Sequence, residues 1–209
     1  MPRPRLHDVD ALLDQAEAIV ARDGAAALTV RALAQAAGAP SGTIYHAFGS
    51  RDAVLARVWL RAAERFGAVQ GERVAGAGDP VGAVVAAATA PLAMLDEAPQ
   101  SARVLLALRR EDLPAGELPA ALVAELHEAH RRLVALLRRL AEGVFGRRDA
   151  PALEAVTVCV VDLPTALVLR PLQRDGRLSP AAAARLDAAV RAVLDLPLPP
   201  PRTRTRKDT

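Results

Sequence analysis

The chain has 209 residues, 52% of them hydrophobic and 24% charged, which is typical of a soluble globular protein with one large or two small domains. The net charge of +3 comes from residues 202–209, where four basic residues stand against one acid, so overall charge does not indicate nucleic-acid binding. One cysteine excludes an internal disulfide, and no uncharged apolar run reaches the roughly 20 residues of a membrane helix.

Four helices are predicted in the N-terminal third, because apolar residues recur at helical spacing and almost no segment alternates as a strand does. Their spans are residues 12–23, 30–37, 41–47 and 51–66. Gly24 is free to end the first helix in a left-handed conformation, and Gly38 ends the second. Thr29 and Ser50 are placed to cap the second and fourth helices.

Five longer helices are predicted in the rest of the chain, separated by loops rich in proline and glycine. Their spans are residues 80–96, 101–111, 119–144, 151–172 and 180–194. Pro91 and Pro164 lie inside two of them and are expected to kink or divide them. Residues 197–209 are Pro-rich and then basic, and we expect them to be disordered. The predicted fold class is all-α.

Two short helices joined by a turn around Gly38 match the helix-turn-helix unit. At about 100° per residue, Ile44 and Phe48 lie on the side of the second helix that would pack against the first. The opposite side and its shoulders carry Gly42, Thr43, Tyr45 and His46. This pattern suits a helix that reads the major groove, because glycine allows close approach to base edges, histidine offers a donor or acceptor, and hydroxyls reach phosphates.

The starts of neighbouring helices add candidate phosphate sites. Free N–H groups near Thr29 and Ser50 favour anions, and Arg31 and Arg51 are placed to add positive charge there.

Three segments follow one another in order: L-L-D-Q-A-E-A-I-V-A-R-D-G (12–24), L-T-V-R-A-L-A-Q-A-A-G (28–38) and A-P-S-G-T-I-Y-H-A-F-G-S-R-D-A-V-L (39–55). With caps, turn and second helix in this order, they resemble the tetracycline-repressor (TetR) family of bacterial transcription regulators. The resemblance implies phosphate contacts and groove contacts in this region. The predicted DNA-binding residues are Thr29, Arg31, Pro40, Ser41, Gly42, Thr43, Tyr45, His46 and Arg51.

The chain departs from the family pattern at the start of the reading helix. Most members have a Val-Ser pair where this chain has Ala39-Pro40, and usually a lysine where Arg51 stands. Pro40 lacks a capping hydroxyl, so either Ser41 caps the helix one residue later, or Pro40 occupies the first helical position with Ala39 outside.

The resemblance implies a DNA-binding domain (1–52), a helical effector-binding and dimerisation domain (53–196) and a tail (197–209). It predicts a cytoplasmic homodimeric repressor that binds a palindromic operator on double-stranded DNA and is released by a small molecule. A helix-turn-helix activator or an effector-independent DNA-binding protein is the alternative. The predicted dimer helices, roughly 151–173 and 179–195, carry apolar faces that fit a four-helix interface. These faces are Val156, Val160, Val161 and Leu167 on one helix, and Leu186, Ala189, Val190 and Val193 on the other.

An effector pocket in the second domain would be mostly aliphatic, since the chain has only five aromatic residues, and this favours a largely apolar ligand. The candidate pocket residues are Trp59, Phe66, Met94, His127 and His130.

Other chemistry finds little support in the sequence. The segment E-L-H-E-A-H (125–130) has histidines three residues apart, one short of the H-E-x-x-H spacing, and is expected to be a solvated helix face and not a metal site. Cys159 lies in an apolar run and is expected to be a small buried residue without a redox role. No nucleophile–base pair, paired carboxylates or phosphate loop indicates an enzyme, and we expect no cofactor.

Overall fold

The computed structural model describes residues 9–113 and 118–200, and within these ranges the chain forms nine α-helices and no strand. The predicted all-α fold is therefore confirmed. Two short 3₁₀ turns, Ala25–Ala27 and Arg110–Asp112, interrupt the helical order. The helices are α1 (Val9–Asp23), α2 (Val30–Ala37), α3 (Ser41–Phe48), α4 (Arg51–Ala75), α5 (Pro80–Glu97), α6 (Pro99–Ala107), α7 (Ala120–Phe145), α8 (Ala150–Asp175) and α9 (Ala182–Leu194).

Side-chain caps begin the helices where the sequence predicts them. Thr29 accepts a hydrogen bond from the Ala32 N–H at 3.0 Å, and Ser50 accepts one from the Ala53 N–H at 3.1 Å. Asp79 caps α5 in the same way. Each cap satisfies a backbone N–H that the first helical turn leaves without a partner.

Glycines end α1 and α2 in different ways. Gly38 is left-handed, with φ 60° and ψ 31°, and with the N–H of Ala39 bonded to the Ala34 carbonyl it closes a Schellman motif. Gly24 also has a positive φ, 84°, but its ψ of 168° is extended. The predicted left-handed conformation at Gly24 is therefore wrong, and the observed one is still accessible essentially only to glycine.

The ends of α6 and α9 differ from the predicted ones, and the internal prolines do not divide their helices. α6 begins at Pro99 and ends at Ala107, short of the predicted residue 111, and α9 begins at Ala182 instead of 180. Neither internal proline divides its helix: α5 continues through Pro91, and α8 passes Pro164 between two π-helical turns, Val158–Asp162 and Thr165–Leu169. A wider turn accommodates a residue that lacks an N–H and crowds the preceding turn.

Two hydrophobic cores organise the helices. The first joins α1, α2, α3 and the first half of α4 to α6 and to Leu122 and Leu126 near the start of α7. The second joins α5, the later part of α7, α8 and α9. We call α1–α3 the N-terminal unit. Its core is continuous with α6 and α7, so packing crosses the domain boundary predicted at residue 52.

The apolar residues predicted at the dimer interface on α8 and α9 fall into two groups, one buried and one partly exposed. Four of the residues predicted to form the dimer interface are instead buried in the core of their own subunit: Val156, Val160, Leu186 and Val190. That part of the prediction is wrong, because a side chain already enclosed cannot also cover a partner. The other four remain partly exposed: Val161, Leu167, Ala189 and Val193.

Two helices, α5 and α8, are long and apolar enough to cross a membrane by length and composition alone. The sequence has no uncharged apolar run of about 20 residues, but both helices extend past charged residues. The finding is weak evidence, since core helices of soluble proteins pass the same test. About a third or less of the most apolar stretch of each is buried in the subunit.

The start of the predicted tail contacts the second core. Leu198 packs against that core, and the carbonyl of Pro199 accepts a hydrogen bond from Arg147 at 2.9 Å. Residues 201–209, which include the basic part of the predicted tail, lie outside the described residues.

Cys159 gives a test of the second core. Its side chain is fully buried and its thiol lies 3.8 Å from the Val190 carbonyl of α9, and burial raises the pKa of the thiol to about 11. Only the thiolate reacts with alkylating reagents, so at pH 8 we expect no labelling by iodoacetamide in the folded protein and full labelling in guanidinium chloride. Rapid labelling of the folded protein, at the rate of a surface cysteine introduced at Ala68, would contradict this packing.

Candidate DNA-binding interface

The second helix of the helix-turn-helix presents one buried and one open side, as the sequence predicts. Ile44 is 1% exposed and Phe48 5%, and both belong to the first core. On the other side, Gly42 and His46 are exposed, and Tyr45 is 56% exposed, which is unusual for a large apolar side chain. Two anchors on one side therefore fix the rotation of α3 and direct its polar side to solvent.

Within the described part of the chain, nothing around Gly42 requires a glycine. It lies inside α3, where glycine costs roughly 1 kcal/mol relative to alanine. A Cβ at this position would meet nothing within 4 Å. The open space above Gly42 is what a helix needs if its first turn approaches another molecule closely.

The start of α3 settles the two alternatives left by the sequence, and neither is correct. Pro40 is the N-cap residue, without a side-chain hydrogen bond, and Ser41 is the first helical residue. Ser41 therefore does not cap the helix, and Pro40 does not occupy its first turn. The first N–H groups of α3 are left without a side-chain cap at an exposed end, where an anion or a hydrogen-bond acceptor is favoured.

The other residues predicted to contact phosphates differ in their solvent exposure and hydrogen bonding. Thr29 and Arg31 are exposed at the start of α2, and Thr43 is partly exposed on α3. Because the Thr29 oxygen accepts from the Ala32 N–H, its own hydroxyl hydrogen stays available to donate to a phosphate.

Arg51 is bonded to backbone carbonyls of the preceding loop, which the sequence does not reveal. Its Nε donates to the Leu28 carbonyl at 2.5 Å, and its Nη2 donates to the Ala25 carbonyl at 2.8 Å. Its Nη1 lies 3.4 Å from Asp52 Oδ1. The guanidinium thus ties the first residue of α4 to the loop that leads into α2. A phosphate contact from Arg51 stays a prediction, and its two carbonyl bonds give it a positioning role as well.

Comparison with known proteins agrees with this geometry. Residues 12–58 match the sequence model of the tetR family of bacterial regulatory proteins. The helix-turn-helix and the helices that flank it therefore resemble those of TetR-family transcriptional regulators. The matched residues span most of the N-terminal unit and the start of α4, and they contain the helix-turn-helix described above. No curated protein matches the chain.

Solved structures share the fold over nearly the whole chain. FadR from Bacillus subtilis, solved in complex with stearoyl-CoA, has a TM-score of 0.66 at 15% identity, covering 90% of this chain and 98% of its own. A TetR-family regulator from Rhodococcus sp. has a TM-score of 0.68 at 18% identity, covering 89% and 98%. One from Streptomyces coelicolor has 0.61 at 24% identity, covering 89% and 96%. At these identities the likeness establishes the fold of the chain and nothing beyond it.

The residues predicted to line an effector pocket lie in different surroundings. Trp59 packs against the first core, Met94 is 2% exposed, and Phe66 is partly buried on α4. His127 and His130 are exposed on α7, where His130 borders an open cleft of about 740 Å³ whose lining is mostly arginine. A common pocket for these five residues stays a prediction.

The acidic residues beside those histidines, Glu125 and Glu128, are already paired with arginines. Glu128 Oε2 accepts from Arg131 at 2.6 Å, and Glu125 lies 3.5 Å from Arg57. The hydrogen bond from Arg131 lowers the pKa of the Glu128 carboxyl. This part of α7 is a solvated, ion-paired face.

A buried polar cluster escaped the sequence analysis. Glu17 of α1, Arg65 of α4 and Ser101 of α6 are hydrogen-bonded to one another. The sequence does carry a signal for it, because Glu17 falls on the apolar stripe of α1 beside Leu13 and Val20. A charge on a core-facing stripe indicates a buried partner.

Arg51→Lys separates the two roles of Arg51. Lysine keeps the charge but cannot bond two carbonyls from a planar fork, so we expect Arg51→Lys to lower the melting temperature. We also expect it to weaken DNA binding several-fold while leaving the slope of log K against log salt unchanged. Arg31→Ala is the matched control, expected to reduce that slope by about 0.9 without a change in melting temperature. Wild-type stability and affinity in Arg51→Lys would show that the two carbonyl bonds are dispensable.

Proposed function

We propose that this protein is a homodimeric repressor that binds a palindromic operator through α3 and is released by a small-molecule effector. The observation that carries the proposal is the open side of α3, where Gly42, Tyr45 and His46 face solvent from a helix anchored by Ile44 and Phe48. An exposed tyrosine and histidine on such a firmly anchored helix favour contact with another molecule.

Different side chains of α3 would contact different parts of the DNA. His46 and the peptide groups around Gly42 are placed for base edges, and Thr43 and Tyr45 for phosphates on the groove walls. Thr29 and Arg31 extend the phosphate contacts along α2. In the dimer, two copies of α3 would enter successive major grooves on one side of the duplex, so the operator would repeat its half-site with inverted symmetry.

Dimerisation through α8 and α9 is supported by the apolar surface that one subunit leaves uncovered. Val161 and Leu167 on α8 and Val193 on α9 are partly exposed, and only 33% of the most apolar stretch of α8 is buried. A stable dimer interface buries about 1,600 Å² in total, and a second copy of the same two helices would supply that cover. The same cover explains apolar helices in a cytoplasmic protein.

The effector is proposed to be small and largely apolar, bound among the aliphatic helices of the second core. FadR from Bacillus subtilis, which has the same fold, was solved with stearoyl-CoA. Release from DNA requires that the effector bind more tightly to a conformation that fits the operator poorly, because a ligand shifts an equilibrium only through such a difference.

The DNA-binding part of the proposal is tested by selecting fragments of genomic DNA on the protein and measuring affinity for the enriched sequence. We expect Tyr45→Ala and His46→Ala each to weaken binding by about 5- to 100-fold, the range of a lost specific contact, with unchanged helicity. His127→Ala, an exposed histidine on α7, is the matched control and should bind normally. Unchanged affinity in either variant removes that residue from the interface, and binding insensitive to salt contradicts the phosphate contacts.

The dimer is tested by placing a carboxylate in the uncovered apolar surface. Leu167→Glu is expected to convert a dimer of 22.0 kDa subunits into monomers in light scattering, because a buried unpaired charge is costly. Ala68→Glu, on the exposed side of α4, should remain dimeric. A dimer that persists in Leu167→Glu with wild-type helicity would place the interface elsewhere.

A further inference from the structure

One cluster of buried polar groups connects the N-terminal unit to the rest of the protein. Within residues 9–113 and 118–200, the buried polar or charged side chains are Glu17, Gln70 and Ser101. Glu17 and Ser101 are each 1% exposed and meet each other, although they lie on α1 and α6, far apart in sequence. Arg65 of α4 completes the cluster.

The three side chains form a closed triangle of short hydrogen bonds. Arg65 Nη1 donates to Glu17 Oε1 at 2.6 Å and to Ser101 Oγ at 2.7 Å. The Ser101 hydroxyl donates to the same Glu17 oxygen at 2.6 Å. The carboxylate is almost wholly shielded from water, whereas the Arg65 side chain is 40% exposed. A cleft of about 660 Å³ between α1, the end of α5 and the start of α6 opens beside it.

Such a triangle allows only one alignment of the three helices. Hydrogen bonds weaken steeply when the donor moves outside a narrow range of distance and angle. A shift of α6 by about 1 Å along α1 would therefore break the two bonds that Ser101 makes. It would also leave a buried carboxylate with fewer donors, which is far more costly than losing an apolar contact.

Ser101 lies close in sequence to α5, which packs in the second core. Ser101 lies in the first turn of α6, and only Ala98 separates α6 from α5. The first half of α5 packs in the second core through Val84, Ala87 and Ala88. The triangle thus joins α1 of the N-terminal unit to α6, and α6 directly follows the helix that packs in the second core.

A second contact between α1 and α4 does not have the same property. Arg61 lies 2.7 Å from Asp14 Oδ1, but Asp14 is 58% exposed. Exposed ion pairs contribute little and tolerate movement. The alignment therefore depends on the buried triangle and not on its exposed neighbour.

We propose that Glu17, Arg65 and Ser101 are positioning residues that fix the angle of the N-terminal unit against α6, and through it the affinity for DNA. None of the three lies on the open side of α3, so they act only through the placement of that helix. The expected change in DNA affinity rests on the proposed function, whereas the angle between the N-terminal unit and α6 can be measured without it.

The angle is measured as a distance between two spin labels in one subunit. Cysteines replace Gln35 on α2 and Arg138 on α7, both exposed, and Cys159 stays unlabelled because it is buried. Labelled protein is diluted with unlabelled protein so that each assembly carries one labelled subunit. In this background we compare Ser101→Ala, which removes one corner, and Glu17→Gln, which keeps the shape and removes the charge. Gln70→Leu is the matched control, because Gln70 is also buried and donates to the Ala87 carbonyl at 3.0 Å, linking α4 to α5 outside the N-terminal unit.

We expect Ser101→Ala and Glu17→Gln to broaden or shift the distance distribution and to weaken binding to the selected genomic fragment about tenfold. Gln70→Leu should lower the melting temperature by a similar amount without either effect. A purely stabilising role would move only the melting temperature, so wild-type distances in both triangle variants, or equal changes in Gln70→Leu, would overturn the proposal. If the wild-type protein selects no DNA, the proposed function fails while the distances still decide this inference. Ser101→Ala retains the Arg65–Glu17 pair and is the variant to use if Glu17→Gln does not fold.

Discussion

The packing of Ile44 and Phe48 into the first core is the constraint on which the DNA-binding surface depends. α3 has only eight residues, and a helix of that length is not stable alone in water. It exists because two apolar side chains on one face are buried against neighbouring helices. The same two contacts determine which residues face outward, so Tyr45 and His46 are exposed as a consequence of the core. The proposed DNA-binding side and the packing side are therefore opposite faces of one short helix.

That core does not stop at the DNA-binding motif. It continues into α6 and the start of α7, so the N-terminal unit has no separate interior of its own. Polar contacts reinforce the connection at two points: Arg51 ties α4 to the loop before α2, and Glu17 ties α1 to α6. Contacts that are already present therefore connect the later helices to the N-terminal unit.

The parts of this structure that the sequence predicts are those set by local chemistry. Thr29 and Ser50 cap helices, and Gly38 ends one, because each requirement is met within a few residues. The partners of Arg51 and Glu17 could not be predicted, since they depend on which distant segments the fold brings together. The passage of α8 through Pro164 was missed for a related reason: the cost of an internal proline depends on whether the helix can widen, and tertiary packing decides that.

The two faces of α8 link subunit folding to the proposed assembly. Val156 and Val160 are enclosed in their own subunit, whereas Val161 and Leu167 on the same helix remain partly open. In a dimer formed through those open residues, α8 would be held from both sides. The separation of the two α3 helices would then follow from how each subunit packs around α8 and α5. Because α5 leads directly into α6 and the Glu17 cluster, a ligand that repacks the second core would change both the spacing and the angle of the DNA-binding helices.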